Sequence, residues 1–590
     1  MKFHPILRKL SVKGLDIIRL KKGDISMQDK KSMRSTASLC GLENADIRNV
    51  LKGMGYSDDD LVTKRPAIGI ANSWNTLIPG HFNFNQLSEQ VKKGIHRAGG
   101  TVYEFGVIGL CDAIAKHNFN YVLPSREVIC DSVEIMAQAN PLDGIVLLAS
   151  CDKIVPGMLM AAARLDIPAI LVNGGPMLGG VAFGGRKSDA TSVSEALGMY
   201  KTDKISLEQY KTIEDLSCPT CGSCSFMGTA NTMCCITEAL GMSLPDGAAI
   251  PAVYADRLRL AEQSGEAICN LVKQGITARD IINRKSMENA VKVCLSIGGS
   301  TNAVLHLCAL AYEAESDIQI MDTFDRFSRD TPTIAKVYPA ANWDMEDLWR
   351  AGGIPRVIDR LQSLLHMDVL TCTGKTMKEN IEAFQYRFPE NNEVIKTVDD
   401  PFDLSGGLAV IKGNLAPRTG ISKPTAIDPS VRQFTGKAIV FDSDEEATQA
   451  ILDGHIKDGH VVVIRYEGPK GGPGMVEMYR AMKYLHGMDL HKSTAIVTDG
   501  RFSGTNNGCF VGHISPEAAE GGPIAIVENG DEITIDVLNN TIHLHVSDEE
   551  IEKRLQGWKK PEPKVRKGYL SLYSQLASSA DEGAIIKHRI

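Results

Sequence analysis

The sequence predicts an α/β protein: an N-terminal α/β/α domain on a largely parallel sheet, followed by a β-rich, barrel-like C-terminal domain. From Pro66 onward, short apolar runs end abruptly in polar or glycine-rich tips, and amphipathic stretches with helical spacing separate them. That alternation is the pattern of strand–helix–strand units. Beyond about residue 390 the helical stretches thin out, and short β-type runs punctuated by Gly, Asp and Asn follow one another. Such a run of strands favours a barrel.

Taken in order, "PAIGIANSW" reads as a buried strand running into a loop, and "FNFNQLSEQVKKGIHRAGG" as a helix closed by glycine. "VYEFGVIGLCD", "DGIVLLASCDK" and "IPAILVNGGPM" repeat the strand-then-tip device, with helices predicted over "SREVICDSVEIMAQA" and "PGMLMAAARL". Ligand chemistry in open parallel sheets sits at the carboxyl ends of the strands, so these tips are expected to share a crevice. "ANWDMEDLWRAGGIPRVIDRL" reads as helix, and the polar, turn-rich "RFPENNEVIKTVDDPFDLSGG" places a domain boundary near 390. The expected division is an extension over 1–33, an α/β domain over 34–390 and a β domain over 391–590. In the β domain, "GLAVIKGN", "GKAIVFDS", "GHVVVIRYEG", "STAIVTDG" and "GPIAIVENGDEITIDVLNNTIHLHV" are the expected strands. The tail from Asp548, "DEEIEKRLQGW", reads as a helix followed by polar coil.

The bulk properties narrow the function. A formal charge of −8 over 590 residues provides no basic field for nucleic acid or an anionic membrane surface. No apolar run approaches the roughly 18 to 20 residues of a membrane span. The basic N-terminus, "MKFHPILRKLSVKGLDIIRLKKGD", lacks the continuous apolar region of a secretory signal. Fourteen cysteines without an export signal point to the reducing cytoplasm, where clustered thiols signal metal or catalysis rather than disulfides.

Two matching tips carry the first chemistry: "GLCDAI", with Cys111 and Asp112, and "ASCDKI", with Cys151, Asp152 and Lys153. Carboxylates at strand ends suit Mg²⁺, and a thiol beside each sets a soft-metal ligand next to a hard-metal one. The stretch "SCPTCGSCSFMGTANTMCC" adds Cys218, Cys221 and Cys224. Its later pair, Cys234 and Cys235, is not spaced as a second zinc hook and reads as buried helix face. The C-x2-C-x2-C spacing resembles part of an iron–sulfur run that needs a ligand from elsewhere, and Cys151 is the natural candidate. "RYEGPKGGPGMVEM" contributes Glu467, Lys470 and Glu477, and its glycines allow close approach to an anion. "TDGRFSGTNNG" presents Ser503 on a sharp turn after Arg501, and His513 follows in "VGHISPEAAEGGPI". No hydrolase nucleophile elbow is present.

Together, "SRE" at Ser125 to Glu127, "CDKIVPGMLMA", "CPTCGSCSFMGTANTM", "GGSTNA" at Gly298 to Ala303, "RYEGPKGGPGM" and "TDGRFSG" resemble the dihydroxy-acid dehydratase and phosphogluconate dehydratase family. The resemblance runs from about Arg34 to the last strands. It implies removal of water from a 2,3-dihydroxy acid to give a 2-keto acid, with an iron–sulfur cluster, [2Fe–2S] or [4Fe–4S], and Mg²⁺. It implies that Cys151 and Cys224 ligate the cluster, and that Asp112, Asp152, Glu477 and a carbamylated Lys153 ligate magnesium. Ser503 falls on the family's base, and a homodimer or homotetramer is the implied assembly.

Two departures stand out. Many members carry a third cluster cysteine in the loop that here reads "NSWNTLIPGH", where this chain has Gly80; Cys221 and Cys218 are the nearby replacements. The loop "DAIAKHNFNYVLPSRE" is shorter than usual and lacks the family's Gly-Met pair, and it lies near the substrate. The first expectation is a dihydroxy-acid dehydratase of valine and isoleucine biosynthesis. The alternatives are a sugar-acid (aldonate) dehydratase, favoured by the altered loop, and a non-catalytic iron–sulfur oxidant sensor, disfavoured by the intact magnesium set and serine.

Overall fold

The computed structural model describes residues 33–61, 65–505 and 507–589. The expected N-terminal extension, apart from Met33, lies outside the described residues. The N-terminal half is built on four parallel strands, β1 (Ala67–Asn72), β2 (Thr101–Gly106), β3 (Gly144–Leu148) and β4 (Ala169–Val172), in the order β2-β1-β3-β4. Every residue of β1, β3 and β4 is buried. Helices cover both faces of such a sheet, which is why its strands read as continuous apolar runs. Helices Phe84–Arg97, Ser125–Ala139 and Ile154–Leu165 coincide with three of the predicted stretches. A small hairpin follows, β5 (Ala182–Phe183) and β6 (Arg186–Lys187).

The C-terminal half is a closed barrel of eight strands: β7 (Ala409–Gly413), β8 (Ala416–Ser422), β9 (Gln433–Phe441), β10 (His460–Ile464), β11 (Ala495–Thr498), β12 (Cys509–Ser515), β13 (Glu532–Asp536) and β14 (Thr541–Leu544). Alternation along the strands separates two cores. Val461, Val463 and Val497 fill the barrel, whereas Val462, Ile464 and Ile496 pack outward with helices Asp444–Leu452 and Tyr479–Gly487. Phe119 and Val122 of the N-terminal half join that outer cluster and fasten the two halves together. Each such fully buried side chain contributes about 1.5–3 kcal/mol.

Three local expectations need correction. "ANWDMEDLWRAGGIPRVIDRL" forms two short helices, Met345–Arg350 and Gly353–Arg360, because Gly352 turns the chain with φ 112°. "GPIAIVENG" holds a 3₁₀ turn at Pro523–Ile526 rather than a strand. The tail does not run on as coil after helix Asp548–Gly557: a second helix, Gly568–Leu576, buries Leu570 and Tyr573. Among the described residues no helix is long and apolar enough to cross a membrane.

Candidate active site

Parallel pairing puts the carboxyl ends of β1 to β4 on one edge, and the chain leaves that edge through the polar tips seen in the sequence. β10 and β11 are likewise parallel neighbours, and the segments bearing Glu477 and Ser503 follow them. The two edges meet. One cavity is lined by Cys111, Asp112, Cys151, Asp152 and Cys224 from the first half and by Glu477, Tyr479 and Ser503 from the second.

Asp112, Asp152 and Glu477 offer carboxylate oxygens within 4.8 Å of one another; among the described residues they are the one such trio of metal-ligating side chains. Two buried cations stand behind them. Lys153 Nζ is 2.5 Å from Asp112 Oδ2, 3.6 Å from Asp152 and 4.0 Å from Glu477. Arg501 Nη1 donates to Glu477 Oε2 at 3.0 Å, and Arg501 Nε donates to the Met475 carbonyl at 2.7 Å. Three carboxylates therefore face two cations, a surplus of one negative charge that suits a dication. Burial pushes the Glu477 and Asp152 carboxyls up, and crowding by neighbouring carboxylates adds to it. Burial acts on Asp112 too, but Lys153 and Arg501 outweigh it and hold that carboxyl below its usual range.

Cys151 occupies a left-handed turn, φ 68°, immediately before helix Ile154–Leu165. That conformation costs a non-glycine residue roughly 1–2 kcal/mol, and here it sets the thiol at the positive end of a helix. Cys224 follows a segment pinned beside the β4 tip: Ser223 N donates to the Gly175 carbonyl at 2.9 Å and Met177 N to the Ser223 carbonyl at 2.8 Å. Gly222 is required there, since a Cβ would come within 2.3 Å of Met177 N. Burial pushes all three thiols up, Cys111 to about 11 and the other two further, so they need a cation to exist as thiolates. Each of Cys151 and Cys224 is close enough to Cys111 for its charge to be felt. The three do not gather tightly enough to hold one ion between them, since they form no trio within 4.8 Å. Half-buried soft donors spread wider than one ion requires, next to hard donors, fit an iron–sulfur cluster beside a magnesium ion.

Ser503 Oγ lies 3.3 Å from Thr505 Oγ1. Lys423, fully buried, donates from Nζ to the Gly504 carbonyl at 2.9 Å and so fixes the serine turn. Burial pulls the Lys423 amine down to about 7. The other candidates are placed apart. Glu467 accepts from Asp444 N at 3.0 Å and ties down helix Asp444–Leu452. Lys470 pairs with Glu520 at 2.9 Å in a different cleft. Cys218 is exposed, and neither it nor Cys221 lines the cavity. His513 is buried behind Arg501, which lowers its pKa further below what burial does, and neither ring nitrogen has a hydrogen-bond partner. Cys234 and Cys235 are buried in helix Thr229–Ala239, as their spacing implies.

Sequence reasoning missed Phe119, Phe226, Thr229 and Tyr479, which also line the cavity, and Lys423. Phe226 and Thr229 lay inside the cysteine motif and Phe119 inside the altered loop; Thr229 packs against "GGSTNA", its hydroxyl 2.8 Å from Ser300 Oγ and accepting from Asn302 Nδ2 at 2.9 Å.

Comparison with known proteins agrees with this geometry. Residues 65–380 match the dihydroxy-acid/6-phosphogluconate dehydratase N-terminal family, and residues 393–584 the corresponding C-terminal family. A dihydroxy-acid dehydratase of Caldanaerobacter subterraneus subsp. tengcongensis is 50% identical over 559 residues, 94% of this chain and 99% of the relative. Relatives of the same name from Pyrococcus furiosus and Methanosarcina barkeri are 51% and 49% identical, again over 94% of this chain and all of theirs. With cysteines and carboxylates from both halves of the chain converging on one cavity and both family models matched in order, the chain belongs to the dihydroxy-acid/6-phosphogluconate dehydratase family.

Proposed function

We propose that the protein is a dihydroxy-acid dehydratase of branched-chain amino-acid biosynthesis, taking a 2,3-dihydroxy acid with an alkyl side chain to its 2-keto acid. The observation that carries the substrate choice is the cavity wall. Besides the carboxylates, Phe119, Phe226, Ala113 and Ala190 line the cavity, and Phe119 comes from the altered loop. An apolar wall accepts a methyl or ethyl group and leaves the extra hydroxyls of an aldonate unpaired at a cost of about 1–3 kcal/mol each.

Asp112, Asp152 and Glu477 would hold magnesium, joined by a carbamate on Lys153, and Cys151 and Cys224 would hold the cluster. When bound, these groups supply Lewis acidity at the C3 hydroxyl and at the carboxylate and C2 hydroxyl. Ser503 Oγ takes the C2 proton as an alkoxide, which a cationic setting makes accessible by lowering the pKa of the hydroxyl. The C3–O bond breaks, the departing hydroxide takes the proton that Ser503 removed and leaves as water, which regenerates the alkoxide, and the enol tautomerises to the keto acid by moving its O–H proton to C3. Arg501, buried and bonded to Glu477, fixes that carboxylate's orientation. Phe119, whose ring lies 5.6 Å from the Arg501 guanidinium, forms part of the wall of the site.

The same proposal covers the setting: a reducing cytoplasm, supported by fourteen free cysteines, a division of the chain near 390, and a homodimer or homotetramer, supported by the family resemblance. The test is anaerobic purification followed by a 2-keto-acid assay over 2,3-dihydroxyisovalerate and a panel of aldonates. Turnover of the branched dihydroxy acid supports the proposal. Turnover of aldonates alone assigns the sugar-acid reading instead, and no turnover with a full cluster assigns the sensor.

A further inference from the structure

We infer that Cys111 supplies the third thiolate to the cluster held by Cys151 and Cys224, in place of the residue that Gly80 does not provide. This rests on the dehydratase reading above and names a ligand within that site.

The sheet order places it. Cys111 follows β2 and Cys151 follows β3, and β1, whose tip carries the Gly80 loop, lies between them. Next-but-one strands are about 10 Å apart, too far for a single ion about 2.3 Å from each sulfur and wide enough for a polynuclear cluster. The side of Cys151 toward the β1 tip is closed: a Cβ at Gly80 would come within 2.8 Å of Cys151 Sγ and 3.2 Å of Ser223 N. Gly222 N donates to the Pro79 carbonyl at 3.0 Å and seals that face. A third ligand must therefore enter from the cavity side, where Cys111 stands with Cys151 and Cys224 and from which Cys218 and Cys221 are absent. The donor count also fits. Three thiolates hold a cluster and leave one iron position open for a substrate hydroxyl, whereas four would close it.

The experiment reconstitutes wild type and the variants Cys111→Ala, Cys151→Ala, Cys218→Ala and Cys221→Ala anaerobically with ferrous iron and sulfide. It measures iron, acid-labile sulfide and visible absorption per chain, with far-ultraviolet circular dichroism to confirm folding. Expected is loss of more than half of both elements and a changed spectrum in Cys111→Ala, with Cys218→Ala and Cys221→Ala unchanged. Wild-type iron, sulfide and spectrum in Cys111→Ala overturn the inference while leaving the dehydratase reading in place, provided Cys151→Ala loses the cluster. If Cys151→Ala keeps it as well, the cluster site itself is wrong and both fall. A second measurement needs no variant: alkylation of native holoenzyme should spare Cys111, Cys151 and Cys224 until iron is chelated. Modification of Cys111 at the same rate with and without iron overturns the inference.

Discussion

Glu477→Gln keeps the shape of the side chain and removes one charge from the acidic centre. Its effect on stability should reverse with magnesium. Without metal, Glu477 crowds Asp112 and Asp152 within 4.8 Å, and burial with that crowding raises its pKa. A carboxyl raised in the folded state loses stability as pH climbs from its unfolded value through its folded one. The glutamine escapes that loss, while Arg501, left with Asp112 at 3.9 Å and the Met475 carbonyl, keeps partners. The metal-free variant should therefore melt no lower than wild type at neutral pH and above. With magnesium the order changes. A dication and a carboxylate about 4 Å apart attract by roughly 8 kcal/mol at an effective dielectric of about 20. The amide oxygen and water restore most of this, leaving a loss of about 2–4 kcal/mol, or ~30- to ~1000-fold in affinity. Wild type at about 100 times its dissociation constant gains about 2.7 kcal/mol of stability, and the variant at the same concentration gains about 0.9 kcal/mol for a ~30-fold loss and less than about 0.1 for a ~1000-fold loss. Melting curves with and without magnesium at several pH values decide it. An equal magnesium-induced rise in both proteins would refute the assignment of Glu477 to the metal.

Ser503→Ala should cut turnover by about 1000-fold or more, judged against the range for losing a positioned base or nucleophile, with iron content and visible absorption unchanged; bleaching would give Ser503 a structural role instead. Phe119→Ser, measured as the kcat/KM ratio of a branched dihydroxy acid to an aldonate, should shift that ratio toward the aldonate by about 10-fold; an unchanged ratio would remove Phe119 from specificity. Burial raises Glu195, but His486, Lys483 and Arg186 outweigh it and hold its carboxyl at about 2. Its contribution, about 3 kcal/mol, is therefore present above pH ~4.5 and lost as pH falls toward 2. Glu195→Gln should melt well below wild type at pH 7 and approach it in acid, and a pH-independent difference would show that the loss is packing rather than charge.

The strands and their tips were readable because a parallel sheet buried on both faces demands continuous apolar runs, and the chain leaves them only through polar turns. Asp112, Asp152, Cys151 and Cys224 fell out of that logic or of the family motifs. From local pattern Glu467 did not separate from Glu477, since both sit in one glycine-rich loop; the family resemblance singled out Glu477, and the fold shows one turned to a helix cap and the other to Lys153 and Arg501. Lys423 carries no motif, and its partner Gly504 lies 81 residues away. The cysteine spacing drew attention to Cys221 and Cys218, yet the segment runs extended beside Pro176 and delivers Cys224 alone to the cavity. Cys111 had been visible as a strand tip, but its nearness to Cys151 depends on strand order, which no local pattern encodes.

Iron-edge anomalous diffraction from crystals grown anaerobically with magnesium locates both metals in one measurement. Iron should lie bounded by Cys111, Cys151 and Cys224, with a separate magnesium among Asp112, Asp152 and Glu477 and Ser503 facing the space between. Iron bound at Cys218 or Cys221, or a trio of carboxylates without metal in an active enzyme, would contradict this assignment.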